Sequence, residues 1–249
     1  MKELRTLFSL PSIACLPVIL IVTVVAALAP QLLVAQNTIG GVKTTIPEAE
    51  VKRQSQFLIA ERERLLNHFD KALELYKKFT YDNPQNDAGW YGLSRTYTSL
   101  RDLPNAIEAI NKAVTIAPDN QWYSIYQADL LENVGRLPDA IVVYESLVKR
   151  FPKITEFYEK LAYLHLQNED PKRALKVLDK WEELVGVTEE IAFKKHVIFV
   201  GLGDIKKAAA EYKKLSDAYP REMKYRQELA RYYQAVSYTH LTLPTKRIV

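Results

Sequence analysis

Few residues in this chain have the types and spacing that chemistry demands. Its four histidines are His68, His165, His196 and His240. Of these, only His165 and His196 could share a metal ion or a proton, and no third ligand follows at helical spacing, so both read better as packing residues. Cys15 is the one cysteine, which excludes disulfides and thiolate metal sites from the rest of the chain. Ser12-Ile13-Ala14-Cys15 has a faint likeness to a lipoprotein cleavage box, but some twenty apolar residues follow it, and processing there would leave them on the product. There is no glycine-rich phosphate loop, no His-Glu-x-x-His and no Gly-x-Ser-x-Gly. The reading is therefore of a chain that is not an enzyme, with no catalytic residue, no metal site and no cofactor. The fifteen tyrosines could stack on bases or sugars, and whether they do depends on the elements that hold them.

Those elements repeat. Ala72, Ala106, Ala140, Ala174 and Ala208 stand 34 residues apart. A period of this length marks a helical hairpin that cannot bury its apolar face alone and stacks on copies of itself. Twelve residues after each alanine comes a helix stop: Pro84, Pro118, Pro152, Gly186 and Pro220. Twelve before each comes Ala60, Ser94, Ala128, Ala162 or His196, small in every case but the last. Asp102, Asp170 and Asp204, with Pro104, Pro138 and Pro171, are expected to cap or open the second helix of their hairpins. Tyr76, Tyr97, Tyr144, Tyr158, Tyr212 and Tyr233 fall at positions that pack between helices, so the core, not a stacking surface, is their expected place. His196, Gly186, Trp181, Gly201 and Gly203 together suggest looser packing where the fourth and fifth repeats meet.

The pattern resembles the tetratricopeptide repeat (TPR) family, with Trp90, Leu93-Ser94, Tyr97, Ala106, Ile110, Ala113 and Pro118 as the best-matching stretch. The resemblance runs from about residue 53 to 235 and implies an all-α fold: a right-handed α-solenoid of stacked helix-turn-helix hairpins, five full repeats and half of a sixth. It also implies a partner-binding groove on the first helix of each hairpin. There the residues to watch are Tyr91, Arg95, Ile125, Asp129, Glu132, Glu159, Tyr163, Phe193 and Val197, apolar anchors around an acidic middle that would suit a peptide or helix of a protein partner. Some relatives hold a partner's terminal carboxylate with Lys and Asn at two of these positions. Here Tyr91 with Arg95 and Ile125 with Asp129 stand in their place, so that clamp is not carried over.

The N-terminus carries Lys2 and Arg5, then runs uncharged from Thr6 to Val42. Residues 1–35 read as a signal peptide cut after Ala35, or as an uncut signal anchor, since the apolar run could span a bilayer. Residues 36–52 read as a polar linker and the start of the first helix, with Pro47 opening a helix longer than the later ones. The formal charge is +4, of which the leader holds +1 and Lys246 with Arg247 hold +2, leaving +1 for the array and its linker. That is no footprint for nucleic acid. The array occupies 53–235, its last helix spanning Met223 to Ala235. In Val236–Val249 the repeat register is lost, and the string resembles translated sequencing-adapter read-through; a native strand-like tail is the alternative.

Taken together, the sequence points to an exported, non-catalytic protein-interaction scaffold of a bacterial periplasm or cell envelope, touching the membrane only through an uncleaved leader. The alternatives are the sensory or docking half of a longer enzyme or signalling protein, and an envelope-assembly component.

Overall fold

A computed structural model describes the backbone of residues 38–39, 42–43 and 47–241, with side chains from 47 to 234. The leader and residues 242–249 lie outside the described residues. Thr38–Ile39 (β1) and Val42–Lys43 (β2) pair antiparallel, Thr38 opposite Lys43 and Ile39 opposite Val42. From Glu48 onward the described chain is helical, in two compact units that divide between Tyr123 and Ser124.

The first unit holds two hairpins. Helix α1 (Glu48–Leu65) pairs with α2 (Phe69–Asp82), and α3 (Asp87–Ser99) with α4 (Leu103–Ile116), while α2 also packs on α3. Pro47 opens α1, which at 18 residues is longer than α3 with 13 but not, as the sequence led one to expect, longer than every later helix, since α11 has 19. Helix α5 (Gln121–Asn133) begins in this unit and continues into the second. There α6 (Leu137–Arg150), α7 (Thr155–Gln167), α8 (Pro171–Val185), α9 (Glu189–Gly201), α10 (Ile205–Ala218) and α11 (Met223–Leu241) follow, each packed on the next. This is the stacked-hairpin, all-α solenoid architecture that the 34-residue period demands.

The spacing residues lie where that period puts them. Ala72, Ala106, Ala140, Ala174 and Ala208 are all fully buried, as are Ala60, Ser94, Ala128 and Ala162. Small side chains at the crossing let the helices of a hairpin approach, and between hairpins Gly92 on α3 does the same for Tyr76 on α2: a Cβ there would meet its ring at 2.4 Å. In the first unit Tyr76 joins Ala60, Ala72, Leu93 and Ala109 in a single cluster, with Phe57, Trp90 and Tyr97 packed against it. Tyr144 and Tyr158 are buried and Tyr212 half-buried, as core residues should be. Tyr233 departs from this, being 56% exposed. Its neighbour Tyr232 turns inward instead and packs on His196 and Tyr212.

Each hairpin turn is built the same way. Asn67, Arg101, Gly135, Glu169 and Gly203 occupy one position in successive repeats, and all have a positive φ of 59° to 76°. The next residue's N–H then reaches back to a carbonyl five residues earlier: His68 to Glu63, Asp102 to Tyr97, Arg136 to Leu131, Asp170 to His165 and Asp204 to Phe199. This left-handed closure satisfies carbonyls that the ending helix leaves without partners. The second helix is then capped where an aspartate is present. Asp102, Asp170 and Asp204 accept from the N–H of Asn105, Arg173 and Lys207.

The stop after the second helix explains one irregularity. Asn83, Ala117, Phe151 and Tyr219 each precede a proline and leave the helix with φ between −123° and −134°. The proline ring crowds the residue before it out of helical conformation. Where Gly186 replaces the proline, Val185 stays helical and α8 is 15 residues long instead of 14. Helix α11 likewise runs past Ala235 to Leu241, since Val236–Leu241 contains neither proline nor glycine.

Where the fourth and fifth repeats meet, α8 and α9 approach less closely than α2 and α3 or α6 and α7. The sequence led one to expect looser packing here, yet the joint is filled. Trp181 is buried in it, and the buried Lys195 ammonium bonds Asp179 at 2.5 Å and Glu182 at 2.8 Å, with Glu211 at 3.7 Å. Lys214 closes the cluster from α10 by pairing with Glu182 and Glu211. His196 fills rather than loosens its position. Its Nδ1 lies 3.1 Å from the Ala208 carbonyl and its Nε2 2.8 Å from the Tyr232 hydroxyl.

Candidate functional site

The face expected to bind is presented by α1, α3, α5, α7 and α9, the first helix of each hairpin. Positions one turn apart on each of these helices share one side of it. The first unit carries Tyr91 and Arg95 of the expected groove, and the second carries Ile125, Asp129, Glu132, Glu159, Tyr163, Phe193 and Val197.

In the first unit, Tyr91 is half-buried with its ring 4.9 Å from that of Tyr123. Tyr123 is itself held by donating its hydroxyl to Asp87 at 3.0 Å. One turn along α3, the Arg95 guanidinium sits 5.6 Å from the Tyr91 ring centre, a cation over an aromatic face. On α1, Glu61 accepts from Arg64 and from the Tyr76 hydroxyl. Burial would raise the Glu61 pKa, but Arg64, Tyr76 and the nearby charge of Arg95 together hold it below the usual carboxylate value. Burial and the Glu61 carboxylate push the Tyr76 phenol the other way, well above its ordinary range. Glu61 is thus tied into its own repeat, while Arg95 is positioned by stacking.

In the second unit the acidic middle is less acidic than the sequence implied. Lys160 on α7 reaches Glu132 on α5 at 2.7 Å, and Lys194 on α9 reaches Glu159 on α7 at 2.9 Å and Glu190 at 3.0 Å. These bridges tie successive first helices together across the face. Lys160 also lies 5.3 Å from the centre of the Tyr163 ring, whose hydroxyl accepts from Gln167 at 2.8 Å. Asp129 is different. The residue is exposed, though its carboxyl is partly desolvated, and among the described residues it has no ion-pair partner. Partial desolvation raises its pKa, Lys160 lowers it and Glu132 raises it again, for a net rise.

The apolar residues of the expected groove differ in exposure. Ile125, Tyr163 and Val197 are half-buried, while Phe193 is 44% and Val200 41% exposed. Phe193 stacks on His196 with the rings 25° from parallel. The structure therefore joins Glu132, Lys160 and Tyr163 in one chain of contacts, Glu159 and Lys194 in a second, and Phe193, His196 and Tyr232 in a third.

Lys160 and Lys194 are the side chains on this face that sequence reasoning missed. They stand 34 residues apart, one residue after the expected anchor position in their repeats. That repetition was the available signal. Only a structure shows that side chains this long lean back onto the preceding hairpin. His165 is buried with its Nδ1 unpartnered, and both ring nitrogens of His196 are taken, which supports packing roles for the pair.

The repeat geometry is matched by known proteins. A family model described as tetratricopeptide repeat matches residues 58–121 and 127–185. The chain belongs to the tetratricopeptide repeat family. A curated relative, the TPR repeat-containing protein MJ1428 of Methanocaldococcus jannaschii, is 29% identical over 143 residues, 56% of this chain. The chain spans a quarter of that relative's length. Among solved structures, MamA residues 41 to the end from Desulfovibrio magneticus RS-1 matches with TM-score 0.50 and 18% identity, covering 69% of this chain and 97% of that one. A structure of Naa15/Naa10 bound to HypK-THB matches with TM-score 0.56 and 17% identity, over 76% of this chain and 32% of that one. At these identities the likeness is one of fold.

Proposed function

We propose that this chain is a non-catalytic scaffold for protein–protein interaction, holding a peptide or helix of a partner against the first helices of its hairpins. The observation that carries the reading is the set of half-exposed apolar side chains, Ile125, Tyr163, Phe193 and Val197, set among Lys–Glu bridges on successive helices of the second unit. Apolar side chains left open beside an ordered polar frame are what a recognition surface requires, since burying them on binding supplies the driving force. The Naa15/Naa10 neighbour, solved with a bound protein, is consistent with this use of the fold. The uncharged leader behind Lys2 and Arg5 supports export to a bacterial envelope as part of the same proposal.

A photocrosslinking residue in place of Phe193 tests the reading, with the same residue in place of Tyr81, which is 86% exposed on α2, as the control. Illuminated in envelope extract, the chain labelled at 193 should give a discrete crosslinked protein band that the chain labelled at 81 does not. Identical patterns from both positions would remove the face from contention. Export is checked separately by N-terminal sequencing of fractionated protein.

A further inference from the structure

We propose that the face of the second unit selects a partner segment carrying a lysine or arginine among apolar residues, its cation seated at Asp129 and its apolar side chains against Tyr163, Phe193 and Val197. This deepens the scaffold reading above and rests on it.

The two lysines that lean onto this face are already engaged, Lys160 by Glu132 and Lys194 by Glu159 and Glu190. Asp129 on α5 is an exposed residue that has no ion pair among the described residues. Partial desolvation disfavours its charge, the nearby Lys160 favours it and Glu132 disfavours it again, with a net rise in its pKa. An arriving ammonium or guanidinium relieves this, whereas an arriving carboxylate meets the like charge of Asp129. Glu156, exposed on α7, adds to the same sign.

The apolar half of the segment is specified just as directly. Ile125 precedes Asp129 by one turn of α5, so a cation bound at Asp129 has an apolar neighbour beside it. Phe193 is 44% exposed and cannot fold away, because its ring lies on His196, which is itself held between Ala208 and Tyr232. A purely basic segment would leave Phe193 wet, and a purely apolar one would leave Asp129 unpaired under cover. Only the combination satisfies both.

Selection of random twelve-residue peptides displayed on phage, against the full chain, supplies the test. The recovered peptides should share a Lys or Arg flanked by apolar residues. A synthetic copy of the strongest should bind about tenfold more weakly to Asp129→Asn. The same peptide with norleucine in place of its basic residue should bind weakly to the native chain and be indifferent to Asp129→Asn. Affinity of the basic peptide should also fall with added salt. If the recovered peptides lack a basic residue, or bind Asp129→Asn unchanged while Phe193→Ala weakens them, the cation site is wrong and the scaffold reading stands. If no peptide is enriched, both fall.

Discussion

Nδ1 of His196 donates to the carbonyl oxygen of Ala208 at 3.1 Å, repeating, three hairpins on, the bond that Ser94 Oγ makes to Ala106 at 2.7 Å. Because a carbonyl can only accept, Nδ1 carries the proton, and in the neutral ring Nε2 is left to accept from the Tyr232 hydroxyl 2.8 Å away. One side chain thus joins α9, α10 and α11. Truncating it removes ring volume from a buried site and frees two polar partners. His196→Ala should cost about 2–4 kcal/mol in denaturant unfolding. His196→Ser, which can remake the Ala208 bond, should recover part of that loss. Equal loss in both variants would show that the carbonyl bond contributes nothing.

The five left-handed turn residues invite the opposite kind of experiment. Arg101 and Glu169 hold φ of 61° and 59°, a region that side chains with a Cβ enter at a cost. Arg101→Gly and Glu169→Gly should each raise stability by about 0.5–1 kcal/mol, the strain relieved exceeding the extra freedom of glycine in the unfolded chain. Gly135→Ala and Gly203→Ala should lower it by a similar amount. A Cβ at either glycine meets nothing within 4 Å, so backbone strain is the only cause available.

Much of this was legible beforehand, because the residues that fix a hairpin stack act locally and recur. The alanines, the turn aspartates and the prolines each act within a few residues of themselves, so their 34-residue phasing read out the architecture. What escaped was set by reach between hairpins. Lys160 and Lys194 neutralise carboxylates on the first helix of the hairpin before their own, and no local pattern reports how far a lysine leans. Tyr232 and Tyr233 are adjacent, and the repeat register favoured the second; His196, larger than the residue the register expects, offered its ring nitrogen to the first. At Trp181 the oversized residues and glycines suggested looser packing, but the charge that fills the joint was not foreseen.

That charge makes Lys195 a test of how buried ion clusters behave in a repeat stack. Its ammonium is enclosed by Asp179, Glu182 and Glu211. Burial alone would push the Lys195 pKa down, yet these carboxylates raise it. Lys195→Met keeps the length of the side chain and removes the charge, leaving Glu211 buried with only Lys214 beside it. Loss of one partner from a buried pair typically costs about 3–5 kcal/mol. The double variant Lys195→Met with Glu211→Leu should regain most of the loss, as apolar replacement of the whole pair removes the uncompensated charge. Additive losses in the double variant would mean that the two side chains do not interact.

Two groups in different units give stability a pH dependence that can be taken apart. His165 is buried on α7, and burial lowers its pKa below 6.5, with Glu145 and Asp170 pulling it up and Arg173 down. The fold therefore prefers the neutral ring. Stability is intact above 6.5 and declines as pH falls below it, because the unfolded chain takes up the proton first. Glu63 on α1 behaves as a depressed carboxylate: its bonds to Arg62 and His68, against desolvation and helped by Lys71, bring its pKa from 4.5 to about 2. Its contribution is present above 4.5 and is lost as pH falls toward 2. Urea unfolding at closely spaced pH values should show both declines. His165→Phe should flatten the curve just below 6.5 without touching the lower window, and Glu63→Gln should lower stability at neutral pH while flattening the profile below 4.5. A His165→Phe profile that keeps the native slope just below 6.5 would assign that slope to another group.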